Sequence, residues 1–456
     1  MIAEKYICHG CIGDEYISKE IKKRGSAYER CSYCASRKKT IDISALAEEM
    51  HKVFTRYYRS RTDGDLYPGY NLGDPAETII YECLGVDEDI STDIHNILKE
   101  LYNDYFDGEI YSDDVEYKAD LPSSEMFDYK WREIKKSLQG EARFFNQKVK
   151  DFFDEIFHKM ENLHTVDNQT AINIITPEQS FFRARVFEDH SQVEDALRHP
   201  ERHFGPPPQL FATPGRMNAQ GISVFYGAFS PDIAISEVRP AVGSYVVVAE
   251  FNPLNPLRIL NISSLDRLRQ NKGSYFDPEY VDQLGRTSFL QTLSQKLSIP
   301  VSGKKTETEY LITQAVAEYL SIMKDPSIDG VMFKSTQVAI DDKGKQHGDL
   351  SQHNIVLFSK SAKVQDAEHT RDRYCINLFE YDYEKNGCGS WLEPTIQLIE
   401  QKSKRNFFSQ GKSPFNDYSL VLNPDKLVLH EIKGVVIQYA PYPIKRSADM
   451  SFKQND

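Results

Sequence analysis

The sequence predicts an α+β protein built from three successive parts. Two Cys-x-x-Cys pairs lie within the first 40 residues, and apolar residues at helical spacing dominate the segment from about 42 to 163. Strand-like and helix-like segments alternate after residue 180. We therefore expect a four-cysteine metal-binding segment over residues 1–40, an α-helical domain over 41–165, and a mixed α/β domain over 166–445 that includes a C-terminal extension.

Composition limits the class of protein. The 456 residues are 27% charged and 40% hydrophobic, an ordinary globular balance that allows two or three domains. The net charge of -13 argues against a protein that coats nucleic acid, although it does not exclude one local basic patch. No apolar run approaches the roughly 18 residues of a membrane span. No apolar segment of a signal peptide follows Met1–Cys8, so we expect a cytoplasmic protein.

The cysteine spacing predicts a metal site. Cys8-His-Gly-Cys11 and Cys31-Ser-Tyr-Cys34 are separated by 19 residues, which fits a tetrahedral structural zinc site with four thiolate ligands. A redox pair and unligated thiols are the alternatives, and a redox pair would normally require a βαβ setting that the sequence lacks. Several basic residues make the segment locally positive, which we interpret as a solvated surface, with nucleic-acid contact as the alternative: Lys22, Lys23, Arg24, Arg37, Lys38 and Lys39.

The next segment has the pattern of a helical bundle. Leu46, Met50, Val53, Phe54 and Tyr57 recur at spacings of three and four, which places them on one face of a helix. Similar apolar stripes lie over residues 94–105 and 144–157. These stripes predict packed helices whose apolar faces form a core.

A stretch from Gly215 to Val238 is expected to organise the α/β domain. It has the pattern of a loop, a buried strand over Ile222–Phe229, and a helix capped by Ser230 with Pro231 at its first position. Glu237 then shares a helix face with apolar residues, so its carboxylate should be partnered or functional. The alternative is an ion pair with Arg239 or a position at the rim of the core.

A second strand carries a pair of cations. The segment Ser180–Phe187 alternates so that Arg183 and Arg185 share one face with Phe181 and Phe187. Two guanidinium groups on one face indicate an anion site, because arginine can grip a phosphate with two parallel donors. An edge strand with a solvated basic face is the alternative.

Three further elements follow. Thr306–Glu309 forms a capping box that opens a helix, and Val331–Ser335 reads as a strand that turns Ser335 toward the apolar side. His353–Phe358 is expected to be the last strand of this region and to lie near the site, with Asn354 as a further candidate contributor. In the tail, Ile396, Leu398 and Ile399 predict a helix, whereas Lys426–Gln438 predicts strand pairing.

The order of these motifs resembles the RES family. The family pattern has an arginine-bearing strand, a Gly-Arg-x-Asn-x-x-Gly loop, a Tyr-x-Ala strand, an Ala-x-x-Glu helix and a late Asp-Gly-x-x-x-x-Ser strand. The corresponding segments are Phe182-Arg183, Gly215–Gly221, Tyr226–Ala228, Ala234–Glu237 and Asp329–Ser335. The resemblance implies an ADP-ribosyltransferase-like fold. It also implies an enzyme, an NAD+ phosphorylase or NAD+ glycohydrolase, of a kind that often acts as a toxin held by an antitoxin.

The resemblance also assigns expected roles. Glu237 and Arg183 would be catalytic, with Glu237 stabilising positive charge on the ribose. Arg183 and Arg216 would clamp the pyrophosphate of NAD+, Tyr226 and Ser335 would hold the nicotinamide end, and Arg185 would be available to an incoming phosphate. NAD+ is expected as a substrate rather than a redox cofactor, since no Gly-x-Gly-x-x-Gly fingerprint occurs.

The N-terminal region resembles the HEPN-like regions that are fused to some RES domains. HEPN nucleases carry an Arg-x4–6-His motif, which the predicted helices lack; Arg185 and His190 fit the spacing but lie in the wrong domain. We therefore expect sensing, docking or autoinhibition rather than RNA cleavage. The alternatives for the whole chain are ADP-ribosyl transfer to a macromolecule and a zinc-bearing nucleic-acid-binding or RNase module. A neutralising antitoxin, an activating partner and a homo-oligomer remain open as partners.

Overall fold

The computed structural model describes residues 4–61, 73–103, 110–120, 124–270, 272–298, 306–337, 349–365, 374–382, 389–398, 417–437 and 441–442. The chain divides into two compact units. The first consists of Met1–His158, Asn162–Thr170 and Ser264–Lys296, and the second of Lys159–Glu161, Ala171–Ser263 and Leu297–Asp456. No helix among the described residues is long and apolar enough to cross a membrane. The combination of helices and a mixed sheet confirms the predicted α+β class.

The N-terminal elements are mainly helical. The strands are β1 (Tyr6–Cys8), β2 (Thr40–Asp42), β3 (Tyr58–Arg61), β4 (Asp74–Pro75) and β5 (Glu116–Ala119). The helices are α1 (Glu15–Arg24), α2 (Ile43–Tyr57), α3 (Ala76–Leu84), α4 (Glu88–Tyr102), α5 (Glu125–Gly140) and α6 (Gln147–Ile156).

The predicted apolar stripes are largely buried in the first unit, although Leu101 of the middle stripe is 52% exposed. The stripe of α2 is buried along its whole length, from Leu46 to Tyr57. This helix begins where the Asp42 side chain accepts a hydrogen bond from the Ser44 amide, 2.8 Å away. The α6 stripe is also buried, but Phe144, which precedes that helix, is 79% exposed because the helix begins three residues later, at Gln147. Tyr105 of the middle stripe lies outside the described residues.

The remaining elements follow in chain order. The strands are β6 (Ile172–Ile175), β7 (Phe181–Phe187), β8 (Phe225–Ala228), β9 (Tyr245–Pro253), β10 (Leu257–Asn261), β11 (Gly330–Lys334), β12 (His353–Leu357), β13 (Tyr374–Asp382), β14 (Gly389–Leu398), β15 (Leu420–Leu422) and β16 (Val428–Glu431). The helices are α7 (His190–Arg198), α8 (Pro200–Phe204), α9 (Pro231–Glu237), α10 (Pro278–Ser298) and α11 (Thr306–Ile322).

A nine-stranded mixed sheet organises the second unit. Its order is β15-β9-β7-β8-β12-β11-β10-β6, and β16 also pairs with β9. The β10–β11 pair is parallel, whereas the other neighbours run antiparallel. Phe181, Phe225 and Phe251 pack from adjacent strands into one core, with ring centroids 4.9–6.4 Å apart. This core fixes the strands that carry the candidate site.

The tail departs in part from its prediction. Residues predicted to be helical near Ile396 belong to strand β14, which pairs with β13, while Ile399 lies outside the described residues. The helix prediction was wrong because a few apolar residues at spacings of one to three do not fix a period, and the partner strand decides. Strand pairing after Lys426 is confirmed, since β16 pairs with β9. Lys426 also forms an ion pair with the buried Glu250 of β9, at 2.8 Å.

Candidate active site

The candidate site is a cleft of about 420 Å³ in the second unit. Strands β7 and β8 share a single register pair, Phe182 with Ala228, and they diverge beyond it. Arg183 and Ala184 of β7 and Tyr226 of β8 line the cleft on either side of this divergence. The separation of two central strands thus creates the space for a ligand.

Glu237 lies at the C-terminal end of α9, on the wall of this cleft. The helix begins as predicted, with the Ser230 side chain accepting from the Ile233 amide at 3.3 Å and Pro231 at the first position. Glu237 Oε1 accepts two hydrogen bonds, from Ser335 Oγ at 2.6 Å and from Asn354 Nδ2 at 2.7 Å. One carboxylate oxygen is therefore held by two neutral donors, and the group remains solvent-exposed at the cleft.

The alternative prediction for Glu237 was an ion pair with Arg239. Arg239 Nε instead donates to Gln337 Oε1 at 3.2 Å, while Glu237 is bonded to Ser335 and Asn354. The carboxylate is accordingly oriented by hydrogen bonds to neutral groups, which leave its negative charge uncompensated by those partners.

Arg183 brings a largely enclosed cation to the cleft. Its guanidinium carbon lies 5.1 Å from the ring centroid of Phe225, and its buried Nη1 atom has no hydrogen-bond partner among the described residues. Burial, reinforced by the nearby charge of Arg185, lowers the pKa of Arg183 to about 9. A buried guanidinium nitrogen without a hydrogen bond is costly, so an anionic ligand that accepts from it would relieve an existing penalty.

Arg216 enters the cleft from a tightly held loop. Thr313 Oγ1 and Gln314 Nε2 of α11 donate to the carbonyl oxygens of Arg216 and Gly215, at 2.6 and 2.8 Å. The Arg216 guanidinium carbon lies 5.7 Å from the Phe333 ring centroid. Burial lowers the pKa of Arg216, and the nearby Glu237 carboxylate opposes that effect.

Tyr226 and Asn218 stabilise the same loop. The Tyr226 hydroxyl donates to Asn218 Oδ1 at 2.9 Å and accepts from the Met217 amide at 3.0 Å. Asn218 Nδ2 contacts three backbone carbonyl oxygens of the loop, at 3.0–3.3 Å. Burial raises the pKa of Tyr226 to about 12, so it stays protonated at neutral pH. Its hydroxyl shapes the loop, while its side chain also lines the cleft.

The structure brings most of the predicted site residues together, with one exception. Glu237, Arg183, Arg216 and Tyr226 line the cleft, and the buried Ser335 contacts it through Glu237. Arg185 is not among the lining residues; its charge acts on His203, just before the end of α8, where it helps to lower the pKa of that histidine after the larger effect of burial. The individual roles of these residues remain predictions.

Sequence reasoning missed several lining residues. Tyr310, Phe333 and Gln337 contribute to the cleft. Tyr310 lies on α11, immediately after the predicted capping box, and one turn before the residues that hold the Arg216 loop. Tyr310 is close to the cleft because α11 packs against the Arg216 loop, and this contact cannot be predicted from spacing along the chain. Asn354, by contrast, was a candidate contributor from the sequence, and it lines the cleft.

A separate cluster lies in the first unit. The sulfur atoms of Cys8, Cys11, Cys31 and Cys34 all lie within 4.8 Å of one another, with three pairs at 3.6–3.8 Å. A tetrahedral zinc ion with bonds of about 2.3 Å would separate its sulfur ligands by about 3.8 Å. The four cysteines could therefore bind a metal ion. Cys8 and Cys31 are buried, so a bound ion would support the fold around them.

Comparison with known proteins agrees with this arrangement. Residues 181–377 match the family model of the RES domain, a range that contains every residue that lines the cleft. The chain contains a RES domain. Residues 25–152 match HEPN/RES N-terminal domain 1, as the resemblance of the N-terminal region suggested. Searches of curated proteins and of solved structures each found no match. RES domains are enzyme-like and act on NAD+. The domain boundaries that the sequence predicts at residues 40, 165 and 445 stay predictions.

Proposed function

We propose that the RES cleft binds NAD+ as a substrate and cleaves its nicotinamide–ribose bond. The observation that carries the proposal is the Glu237 carboxylate, oriented by Ser335 and Asn354 in a cleft that also holds Arg183 and Arg216. Such a set combines one negative group for a developing cation with two positive groups for a pyrophosphate.

The chemistry follows from the bond to be broken. The electron pair of the carbon–nitrogen bond leaves with nicotinamide, which becomes neutral, and the ribose acquires oxocarbenium character. Glu237 stabilises that positive charge, and it orients the ribose hydroxyls or the acceptor. An oxygen of phosphate or water then forms the new bond to the ribose carbon. The products are nicotinamide with ADP-ribose-1''-phosphate in the first case, and nicotinamide with ADP-ribose and a proton in the second.

The cations position the substrate. Arg183 presents a guanidinium nitrogen that has no partner in the part of the chain that the structure describes, and Arg216 lies on a loop fixed by α11. Together they would grip the two phosphates of NAD+. Tyr226 lines the wall nearest the diverging strands and would pack beside the nicotinamide end. Ser335 would act mainly through Glu237, because its hydroxyl donates to that carboxylate.

The biological setting we propose is a cytoplasmic toxin or defence effector that depletes NAD+. A neutralising antitoxin or an activating partner would control it, and the helical N-terminal region would sense or dock that partner. Zinc is the metal we propose for the cysteine cluster, in a structural role, since four thiolates leave no open coordination position for catalysis.

The test is to incubate the purified full chain with NAD+, with and without inorganic phosphate, and to follow the products by mass spectrometry. A phosphorylated ADP-ribose that forms only with phosphate would identify a phosphorylase, and ADP-ribose in both conditions a glycohydrolase. Glu237→Gln should reduce the rate at least ~10²-fold. Asp232→Asn, on the same helix but outside the cleft lining, is the matched control and should retain the rate. Protein-bound ADP-ribose without free product would instead establish the transferase alternative.

A further inference from the structure

The exposed surface around the first Cys-x-x-Cys pair concentrates positive charge in an otherwise acidic chain. Between Ile21 and Ile41 there are seven Lys and Arg residues and a single acid, Glu29. All seven cations are exposed. We call this set the basic face: Lys22, Lys23, Arg24, Arg30, Arg37, Lys38 and Lys39.

The fold brings the two ends of this segment together. The backbone of Ser26 pairs with that of Thr40 in both directions, at 2.8 and 2.9 Å, so the last turn of α1 lies beside residues 38 and 39. Lys39 Nζ donates to the carbonyl oxygen of Lys23 at 3.3 Å. Lys38 Nζ reaches the Cys-x-x-Cys turn, only 2.5 Å from where a Cβ atom on Gly10 would lie. The cations from the helix and from the strand therefore share one surface.

Ordinary structural roles account for only part of this charge. Three of the cations lie in the last turn of α1, where they stabilise the negative end of the helix, and Arg24 is paired with Glu20 at 3.0 Å. A divalent ion held by four thiolates would carry a net charge of about −2 and would offset two cations. Lys22, Arg37 and Lys38 still have no ion pair among the described residues. A surplus of exposed positive charge remains that the fold does not require.

An exposed aromatic ring completes the surface. Tyr28 lies on the loop between α1 and Cys31, and it is 96% exposed. Its amide is fixed by Ser26 Oγ at 3.2 Å, which holds the loop rather than the ring. Grooves that bind single-stranded nucleic acid combine cations along the phosphates with aromatic rings on which bases stack. A fully exposed tyrosine among unpaired cations fits that chemistry better than it fits a protein core.

We propose that the basic face binds single-stranded nucleic acid, with phosphates on Lys22, Arg37 and Lys38 and a base stacked on Tyr28. This interaction is separate from the RES cleft, and it provides the N-terminal unit with a partner that the cleft chemistry does not supply. The negative charge of the whole chain would keep other surfaces from contributing, so binding should depend on this one face.

The test uses the full chain and fluorescein-labelled 20-nucleotide pyrimidine RNA and DNA, followed by anisotropy from 50 to 300 mM salt. The wild-type protein should bind at 50 mM salt. The double variant Lys22→Gln/Arg37→Gln should bind more weakly. The plot of log association constant against log salt concentration should become less steep by about 1.4, because two phosphate contacts are lost. Tyr28→Ala should weaken binding without changing the slope, since it removes stacking and not charge.

The matched control is Lys148→Gln/Lys433→Gln, which removes the same charge from two exposed lysines elsewhere. It should bind as the wild type does. Each variant should retain its metal and its NAD+ turnover, which separates this proposal from that on the RES cleft. Lack of binding at 50 mM salt, or equal weakening by the control pair, would overturn the proposal. Unchanged affinity of Tyr28→Ala for these single strands would overturn the stacking.

Discussion

Asn354 Nδ2 lies 2.7 Å from Glu237 Oε1, and this hydrogen bond joins the central strand β12 to the end of helix α9. Ser335 Oγ, one residue beyond β11, donates to the same oxygen at 2.6 Å. Three segments far apart in the sequence thus define the position of one carboxylate oxygen. The carboxylate is therefore oriented before any ligand binds.

Removing either donor should impair catalysis more than binding. A hydrogen bond to a charged group is worth about 1.5–3 kcal/mol, so Ser335→Ala and Asn354→Ala should each lower kcat by about 10- to 100-fold. The two losses should not multiply in the double variant, since both donors serve one oxygen. Steady-state kinetics that separate kcat from KM provide the measurement. Ser236→Ala, on the same helix, is the control; an equal loss there, or an effect confined to KM, would contradict a positioning role.

Arg183 should lower the stability of the ligand-free protein and should be required for binding NAD+. Its buried Nη1 lacks a hydrogen-bond partner within the described ranges and burial lowers its pKa to about 9, so the charged side chain destabilises the fold without a ligand. Arg183→Met should raise Tm by a few degrees, the effect of about 1 kcal/mol, and should abolish the increase in Tm that NAD+ gives the wild type.

Arg185→Met is the informative companion to that variant, because Arg185 lies on the same strand but does not line the cleft. It should retain the thermal shift with NAD+. If it loses the shift as completely as Arg183→Met does, Arg185 contacts the ligand after all, as the sequence suggested. If Arg183→Met binds NAD+ normally, the anion site has been misplaced.

Gly215 should be intolerant of any side chain. A Cβ atom there would lie 2.6 Å from Asn218 Oδ1 and 2.7 Å from the Tyr226 hydroxyl, so Gly215→Ala must displace the loop that carries Arg216. We expect kcat/KM for NAD+ to fall by about 10- to 100-fold, as a shift of about 1 Å in a positioning group can cause. Gly140→Ala, where no atom of the described residues lies within 4 Å of the added Cβ, should leave the kinetics unchanged. Unchanged kinetics for Gly215→Ala would mean that the loop position does not matter.

The cysteine cluster should hold one zinc ion per chain. Structural zinc contributes on the order of 10 kcal/mol to the folding of small sites, so Cys31→Ser should lose the ion and unfold the segment around it. Metal analysis and thermal unfolding measure both effects, and Cys375→Ser, at an exposed cysteine outside the cluster, is the control. NAD+ turnover should persist, since the cleft residues lie in the other unit. Full metal content in Cys31→Ser would contradict the four-thiolate site.

Local chemistry in the sequence predicted the elements that bear the site. The cap at Ser230, the strand that carries Arg183 and the grouping of the paired cysteines each depend on neighbours a few residues away, and all three are confirmed. The five ordered motifs added the grouping of Glu237, Arg216, Tyr226 and Ser335, which spacing alone could not supply.

What the sequence could not provide are contacts between distant segments. Tyr310 reaches the cleft because α11 packs on the Arg216 loop, whereas Arg185, two residues beyond Arg183 on β7, does not line the cleft. The spacing of apolar residues in β14 is compatible with a helix as well as a strand, and the segment forms a strand because it pairs with β13. Each outcome depends on a partner that lies outside the local pattern.

The membership of Ser264–Lys296 in the first unit has a consequence for how the chain is made and divided. Phe289 of α10 packs against Phe127, Trp131 and Phe152, with ring centroids 5.7–5.8 Å apart. A nascent chain must therefore emerge from the ribosome beyond α10 before the helices of the first unit can close around their last aromatic partner. A gene truncated to begin after residue 165 would leave that ring uncovered. Residues 264–296 and the N-terminal helices therefore belong to one folding unit, and a cut at residue 165 divides that unit.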